Sequence, residues 1–323
     1  MHNNLILNII VPCYNEHEVL AETARQLLDK LQNLVQNNKI SEESKIVFID
    51  DGSLDNTWDL IEKLYDENPK KFAGLKLSKN RGHQNALLCG LLSVKDTADI
   101  TISIDADLQD DIDVIDKMIS HYNDGCEIVY GVRSSRKRDT LFKKSSAQGF
   151  YRFMSFLGID IVYNHADFRL MGKKALNALA EFNEVNIFLR GIIPMLGFKT
   201  ASVYYKRKSR FAGENKYPMK NMFKFAFEGI SSFSIKPIRF ISILGLLIFI
   251  ISLGMVVYSI VQHVNNNTVS GWSSIICSIW GIGGLVLLSI GIVGEYIGKI
   301  YLETKHRPRF TIEKIRSTDK LII

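Results

Sequence analysis

Two stretches of this chain, Phe240 to Gln262 and Thr268 to Gly294, contain no Asp, Glu, Lys or Arg. A spanning helix needs about 20 predominantly apolar residues, so each stretch is long enough to cross a bilayer. The 323 residues therefore divide into a front section, Met1 to about Arg239, that reads as an ordinary soluble domain, and a membrane section behind it. Basic residues crowd both sides of the apolar pair. Lys199, Lys206, Arg207, Lys208, Arg210, Lys216, Lys220, Lys224, Lys236 and Arg239 come before it, and Lys299, Lys305, Arg307, Arg309, Lys314, Arg316 and Lys320 come after. The short loop His263 to Gly271 between the two stretches has neither Lys nor Arg. Positive residues stay on the cytoplasmic side, so both ends are expected there and the loop outside.

That distribution also explains the formal net charge of +6. The excess sits beside the apolar stretches rather than on an aromatic-interleaved stripe, and nucleic acid is not an expected partner. Leu5 to Val11 runs into Pro12 and the polar Tyr14, Asn15 and Glu16, with no basic region before it and no cleavage site after it, so export of the front section is not expected. Cys13, Cys89, Cys126 and Cys277 lie far apart in the sequence. Neither a zinc site nor a disulfide framework fits that spacing, and buried reduced thiols are expected.

Through the front section, β-branched apolar runs alternate with helix-period segments, the pattern of a parallel sheet with crossover helices. Strands are expected at Leu5 to Val11, Lys45 to Ile49, Ala73 to Leu77, Ile100 to Ile104 and Glu127 to Tyr130, with a short one at Ala201 to Tyr205. Helices are expected near Glu18 to Leu34, Thr57 to Tyr65, Gln84 to Val94, Asp111 to Tyr122 and Leu141 to Leu157. Tyr217 to Ile235 mixes Met222, Phe223, Phe225, Phe227, Ile230 and Phe233 with lysines, which suits a helix lying in the membrane interface or one packed on a core.

In such sheets ligands sit beyond the carboxyl ends of the strands. Three of those ends carry polar or acidic clusters: Pro12 to Glu16, Asp50 to Ser53 and Asp105 to Asp110. Asp105-Ala106-Asp107-Leu108-Gln109 brings two carboxylates and an amide oxygen into one turn, the hard oxygen ligands that Mg²⁺ or Mn²⁺ takes alongside water and substrate phosphate. A helix N-cap would use the same residue types. The second acidic cluster, Asp50-Asp51-Gly52-Ser53, tips the balance, since adjacent carboxylate groups repel unless a cation or hydrogen-bond donors compensate.

The ordered set Pro12-Cys13-Tyr14-Asn15-Glu16, Asp50-Asp51-Gly52-Ser53, Asn80-Arg81-Gly82 and Asp105 to Gln109 resembles the nucleotide-sugar domain of family 2 inverting glycosyltransferases, which have a GT-A fold. Asp167-Phe168-Arg169-Leu170 and Arg210 to Tyr217, with the two C-terminal apolar stretches, resemble its polyprenyl-phosphate branch, which includes dolichyl-phosphate mannose synthases and bacterial undecaprenyl-phosphate glycosyltransferases. The branch usually has Ser where this chain has Asn215. The resemblance implies a nucleoside pocket lined by Pro12, Tyr14, Asn15, Glu16, Asp50, Asp51, Asn80, Gly82, Asp105 and Ala106, and a cation held by Asp105, Asp107 and Gln109. It implies an α/β, Rossmann-like catalytic domain over 1–215, a juxtamembrane amphipathic segment over 216–238, transmembrane helices at 239–262 and 272–297, and a basic tail over 298–323.

The chemistry can be argued without the family. A lipid phosphate monoester has a second pKa near 6, is largely dianionic at neutral pH, and needs little deprotonation before it attacks an anomeric carbon. The enzyme must align it, offset its charge and stabilise the departing diphosphate. Candidate cations for the acceptor phosphate are Arg133, Lys143, Lys144, Arg169, Arg210 and Lys216. Asp167 is the candidate catalytic carboxylate, positioning sugar hydroxyls, orienting Arg169 or accepting a proton; simple pairing with Arg169 is the structural alternative.

Glu295 reads as an interfacial residue paired with Lys299. Gly281, Gly283, Gly284, Gly291, Gly294 and Gly298 permit close helix contacts within a chain or in a homo-oligomer. The expected activity is transfer of one sugar, glucose or N-acetylglucosamine, from a UDP donor to polyprenyl phosphate, with a flippase and a downstream transferase as pathway partners. Two alternatives are a synthase that extends a membrane glycan and a non-catalytic nucleotide-sugar binder.

Overall fold

The computed structural model describes residues 5–134, 165–184, 187–206 and 271–318, with helical backbone also at 241, 243, 247, 250 and 254. The expected helix at 141–157, the juxtamembrane segment 216–238 and most of the first apolar stretch lie outside the described residues, as do Lys143, Lys144, Arg210 and Lys216.

The strands are β1 (Leu7–Cys13), β2 (Lys45–Asp50), β3 (Phe72–Leu77), β4 (Ile100–Ser103), β5 (Ile128–Arg133), β6 (His165–Gly172), β7 (Thr200–Tyr205) and β8 (Ile312–Arg316). They form one sheet in the order β7-β5-β6-β4-β1-β2-β3-β8. Every residue of β1 and β2 is buried, as central parallel strands covered on both faces require. One face carries α1 (His17–Gln36), α2 (Thr57–Glu67) and α4 (Ile115–Asn123), whose Leu20, Leu27, Leu31, Trp58, Ile61 and Met118 share a core with Ile9, Val11 and Phe48. The other face carries α3 (His83–Ser93), α5 (Lys173–Ala180) and α6 (Leu189–Met195), whose Leu87, Leu91, Leu176, Leu189 and Ile192 pack with Ile10, Ile49 and Tyr130.

Local chemistry explains how these helices sit. In α1 the inward residues Leu20, Ala24, Leu27, Leu31 and Leu34 recur every three or four positions, leaving Glu22, Arg25 and Asp29 to pair on the outside. α3 lies so close to the sheet that a Cβ at Gly90 would stand 2.4 Å from Cγ2 of Ile10. The N-terminus of α5 is closed by Glu127, whose Oε1 accepts the amide protons of Lys174 at 2.9 Å and Ala175 at 3.4 Å.

The parallel strands stand where the alternation pattern puts them, but the sheet is mixed, not purely parallel. β6 lies antiparallel between β4 and β5, and β8 lies antiparallel beside β3. Neither reads as a strand in the sequence. β6 carries Asp167 and Arg169 in a buried position that their mutual pairing helps make tolerable. β8, Ile-Glu-Lys-Ile-Arg, has the charged composition by which edge strands avoid further pairing, so the segment expected as a basic tail supplies a strand to the sheet.

α7 (Trp272–Thr304) has 33 residues, runs past the expected end at 297, and measures about 50 Å at 1.5 Å per residue. Its Leu285–Thr304 section is apolar enough to cross a membrane, with mean hydropathy 1.6, and is the one such helix among the described residues. Ile279, Leu287, Ile290 and Ile297 project from it as exposed side chains.

Candidate active site

The sheet order sets β1 between β2 and β4, so the chain winds away from β1 in both directions. This reversal point is where open α/β sheets open a crevice for ligands. The three polar strand ends singled out in the sequence therefore lie side by side. Cys13 pairs in register with Asp50, and the Asp51 amide donates to the Cys13 carbonyl at 2.9 Å.

The β1 and β2 loops are knitted together by side chains. Asn15, at φ 52°, donates its amide to Oγ of Ser53 at 3.0 Å and accepts from the Leu54 amide through Oδ1 at 2.9 Å. The Glu16 amide donates to Oγ1 of Thr57 at 3.0 Å. Asp50 is fully buried and accepts from the Ser53 amide at 3.1 Å; burial raises its pKa against the pull of Ser53. Asp51 uses both oxygens on the next loop, accepting the amides of Arg81 at 2.7 Å and Gly82 at 2.9 Å. Burial raises its pKa, with those two donors opposing. Gly52, at φ +66°, has no room for a side chain: a Cβ would lie 2.5 Å from the carbonyl carbon of Lys79. Asn80 caps the same turn, its Oδ1 accepting from the Gly82 amide at 3.1 Å. Asp50, Asp51 and Asn80, expected in the nucleoside pocket, are thus tied by hydrogen bonds into the loops after β2 and β3, beside Asn15 and Glu16 of the β1 loop.

The β4 end turns sharply after Ser103. Leu108 adopts φ 54°, a region that non-glycine side chains seldom occupy, which folds Asp107 and Gln109 onto one turn. Oδ1 of Asp107 accepts the Gln109 amide at 3.2 Å, and the Ala106 carbonyl accepts from Oγ1 of Thr23 in α1 at 2.7 Å. Burial, and the nearby carboxylates of Asp110, Asp167 and Asp107, raise the Asp105 pKa to about 6 despite the opposing pull of His83. A divalent cation would offset the repulsion among these neighbouring carboxylates. Among the described residues no three His, Cys, Asp or Glu side chains converge as a cage. Asp105, Asp107 and Gln109 are the oxygen ligands that could hold a hard cation here, with water and phosphate oxygens filling the rest of its shell.

β6 brings the second half of the site. Ser103 pairs with Arg169, and Oγ of Ser103 donates to the Asp167 carbonyl, which fixes Asp167 beside the β4 end. Three cationic groups meet the Asp167 carboxylate. Arg169 donates to Oδ1 from within the sheet, Arg190 donates to Oδ1 at 3.2 Å and to Oδ2 at 2.9 Å, and Nε2 of His83 lies 3.5 Å from Oδ2. His83 also lies 3.6 Å from Asp105, bridging the two carboxylates. Burial alone would raise the Asp167 pKa, but Arg190, His83 and Arg169 outweigh it and hold the group well below the usual carboxylate range. That direction keeps Asp167 ionised, with three cationic groups gathered on it. Burial would lower the pKa of His83, yet Asp167 and Asp105 bring it to about 8.

Two cations expected at an acceptor phosphate are already engaged. Arg169 is 1% exposed and committed to Asp167, because its position on a central strand points it into the protein. Arg133, at the end of β5, donates to Oδ1 of Asp110 at 3.2 Å, and the Tyr205 hydroxyl donates to the same oxygen at 2.5 Å. Burial would lower the Arg133 pKa, but Asp110 raises it. His83, Asp110, Arg190 and Tyr205 were not among the expected site residues. His83 directly follows the Asn80-Arg81-Gly82 turn and Asp110 ends the Asp105 cluster, so both stood next to a readable motif. Arg190 stands alone in an apolar helix 23 residues from Asp167 and carries no local signal.

The family model for glycosyl transferase family 2 matches residues 8–180, more than half of the chain. The chain is 54% identical over 308 residues to the uncharacterized glycosyltransferase YkoT of Bacillus subtilis, covering 95% of this chain and 91% of the relative. It is 36% identical over 312 residues to the bactoprenol glucosyl transferase of Shigella phage SfX, covering 95% and 98%. It is 35% identical over 318 residues to the prophage bactoprenol glucosyl transferase homolog of Escherichia coli, covering 96% and 99%. The mixed α/β sheet, the acidic turn at its reversal point and the family match agree: this chain belongs to glycosyl transferase family 2.

Proposed function

We propose that this chain transfers a single glucose, with inversion, from UDP-glucose to a polyprenyl phosphate at the cytoplasmic face of a membrane. The observation that carries the reading is the match to bactoprenol glucosyl transferases over nearly the full length of both chains, membrane section included. α7 supplies an apolar helix long enough to hold the enzyme where a lipid acceptor resides.

In this reading, the loops after β1 and β2 take the nucleoside, and Asp105, Asp107 and Gln109 hold Mg²⁺ or Mn²⁺ on the donor diphosphate. The cation offsets charge on the leaving diphosphate. The acceptor phosphate is its own nucleophile at neutral pH. Asp167 keeps Arg190 and His83 at the edge of the crevice, where they offset incoming phosphate charge. Lys143, Lys144, Arg210 and Lys216 complete the acceptor side. The domain boundaries at 215, 238, 262 and 297, the second transmembrane helix and the cytoplasmic placement of both termini belong to the same proposal, resting on the charge distribution around the apolar stretches.

The test is incubation of membranes bearing the full chain with a panel of radiolabelled nucleotide sugars and polyprenyl phosphate, with and without a chelator. A lipid-soluble product that releases one glucose in mild acid, and disappears with the chelator, is expected. A lengthening glycan, or donor binding with no transfer to any lipid, would refute the proposal. Tags at either end that are labelled only from outside the cell would refute the topology.

A further inference from the structure

Arg190 is held by features from two directions. The amide at the start of α6, Leu189, donates to Oε1 of Gln84 at 2.8 Å, which ties the helix to α3 beside His83. The opposite support comes from the far end of the chain. Between Thr304, the last residue of α7, and Ile312, the first of β8, lie only residues 305–311. Within that link Arg309 donates from Nη2 to the carbonyl of Phe182, in the segment between α5 and α6. Phe310 and Ile312 join Phe182, Ile187, Leu196 and Phe198 as half-buried apolar side chains packed on the core that holds Leu189, Ile192 and Ile193 of α6.

The link cannot drift, because β8 anchors it. Beyond the ladder with β3, the Ser78 amide donates to the Thr311 carbonyl at 2.9 Å, and Nζ of Lys45 donates to Oγ1 of Thr318 at 2.8 Å. Arg316 pairs with Glu62 at 3.0 Å and Lys76 with Glu313 at 3.6 Å. Seven residues span at most about 25 Å, so the membrane helix and the sheet edge are joined by a short tether.

We propose that residues 305–316 form a positioning strap, in which Arg309, through the Phe182 carbonyl, holds the α5–α6 segment so that Arg190 stays on Asp167, linking the membrane helix mechanically to the catalytic centre. Arg309 is a positioning residue acting through Phe182 and α6. The role rests on the transferase reading of the site, while the mechanical link does not.

The experiment uses the full chain in detergent or vesicles. Arg309→Ala is expected to lower kcat by about 10 to 100-fold, the cost of misplacing a group by about an ångström. The donor KM stays near that of the parent chain, and amide hydrogen exchange in α6 speeds up. Arg309→Lys, which restores a donor to the Phe182 carbonyl, is expected to recover most of kcat. Arg190→Ala should cause a similar loss, and the Arg190→Ala, Arg309→Ala double variant no further loss. Arg25→Ala, which removes exposed pairs on α1 away from both the site and the strap, should stay within about twofold of the parent. Unchanged kcat in Arg309→Ala, or fully additive losses in the double variant, would overturn the proposal. Should the parent chain transfer no sugar at all, α6 exchange still decides the mechanical link: equal exchange in the parent and Arg309→Ala would overturn it.

Discussion

The pairing of Asp167 with Arg169 makes a quantitative demand on stability. Arg169 is 1% exposed, and Asp167 is the carboxylate in contact with it. Two unit charges about 3 Å apart attract by roughly 5 kcal/mol at an effective dielectric of about 20, and removing each from water costs several kcal/mol. While both are present the terms nearly cancel. Asp167→Asn keeps the shape but leaves the Arg169 guanidinium buried without a counter-charge, which typically costs about 3 to 5 kcal/mol. Arg190, with its side chain 33% exposed, can turn to water, so its loss of partner adds little. Since domains are stable by about 5 to 15 kcal/mol, this is a large fraction of the total. Replacing Arg169 with Met in the same chain removes the stranded charge, and Asp167→Asn with Arg169→Met should be more stable than Asp167→Asn alone by about 2 kcal/mol. Urea unfolding followed by fluorescence of Trp58, which is buried on the inner face of α2, measures the difference once Trp272 and Trp280 in α7 are changed to Phe. If Asp167→Asn unfolds at the parent's midpoint, or the second substitution adds a further loss, the charge argument fails.

Asp107→Asn, which removes one anionic ligand from the acidic turn, is expected to lower transfer by about 100-fold or more with the fold intact, and chelation of the parent should do the same; full activity in labelled-donor assays would dismiss the cation site. Gly52→Ala meets both a left-handed φ and backbone 2.5 Å away, so a loss of about 1 to 3 kcal/mol is expected in thermal unfolding, and a neutral result would mean that the two loops need not touch. His83 titrates at about 8 in the fold against an ordinary value of 6.5, so its ion pairs stabilise fully below 6.5 and lose that contribution as pH rises through 8. The stability difference between the parent and His83→Gln in metal-free buffer should therefore shrink between about pH 6 and about pH 9, and a difference that grows would reverse the assignment.

Much of the frame is legible in the residues themselves. Leu7 to Cys13, Lys45 to Asp50 and Ile100 to Ser103 announce buried strands because such strands must be apolar on both faces, a rule that acts within a few residues. The acidic groups that follow them are readable for the same reason, since a strand end is a local place. Apolar length likewise marks α7, because a bilayer imposes its thickness on each helix separately. What only the tertiary structure decides is whatever depends on a partner far along the chain. β6 looks too polar to be a central strand until Asp167 and Arg169 are seen to neutralise each other, and β8 looks like a tail until the edge of β3 is there to receive it. Arg190, His83 and Asp105 come from a helix, a second helix and a strand end, and meet around Asp167 because burial of the apolar faces around them supplies the free energy for bringing like and unlike charges together. Periodicity records which face of an element is buried, but not which charge it will find there.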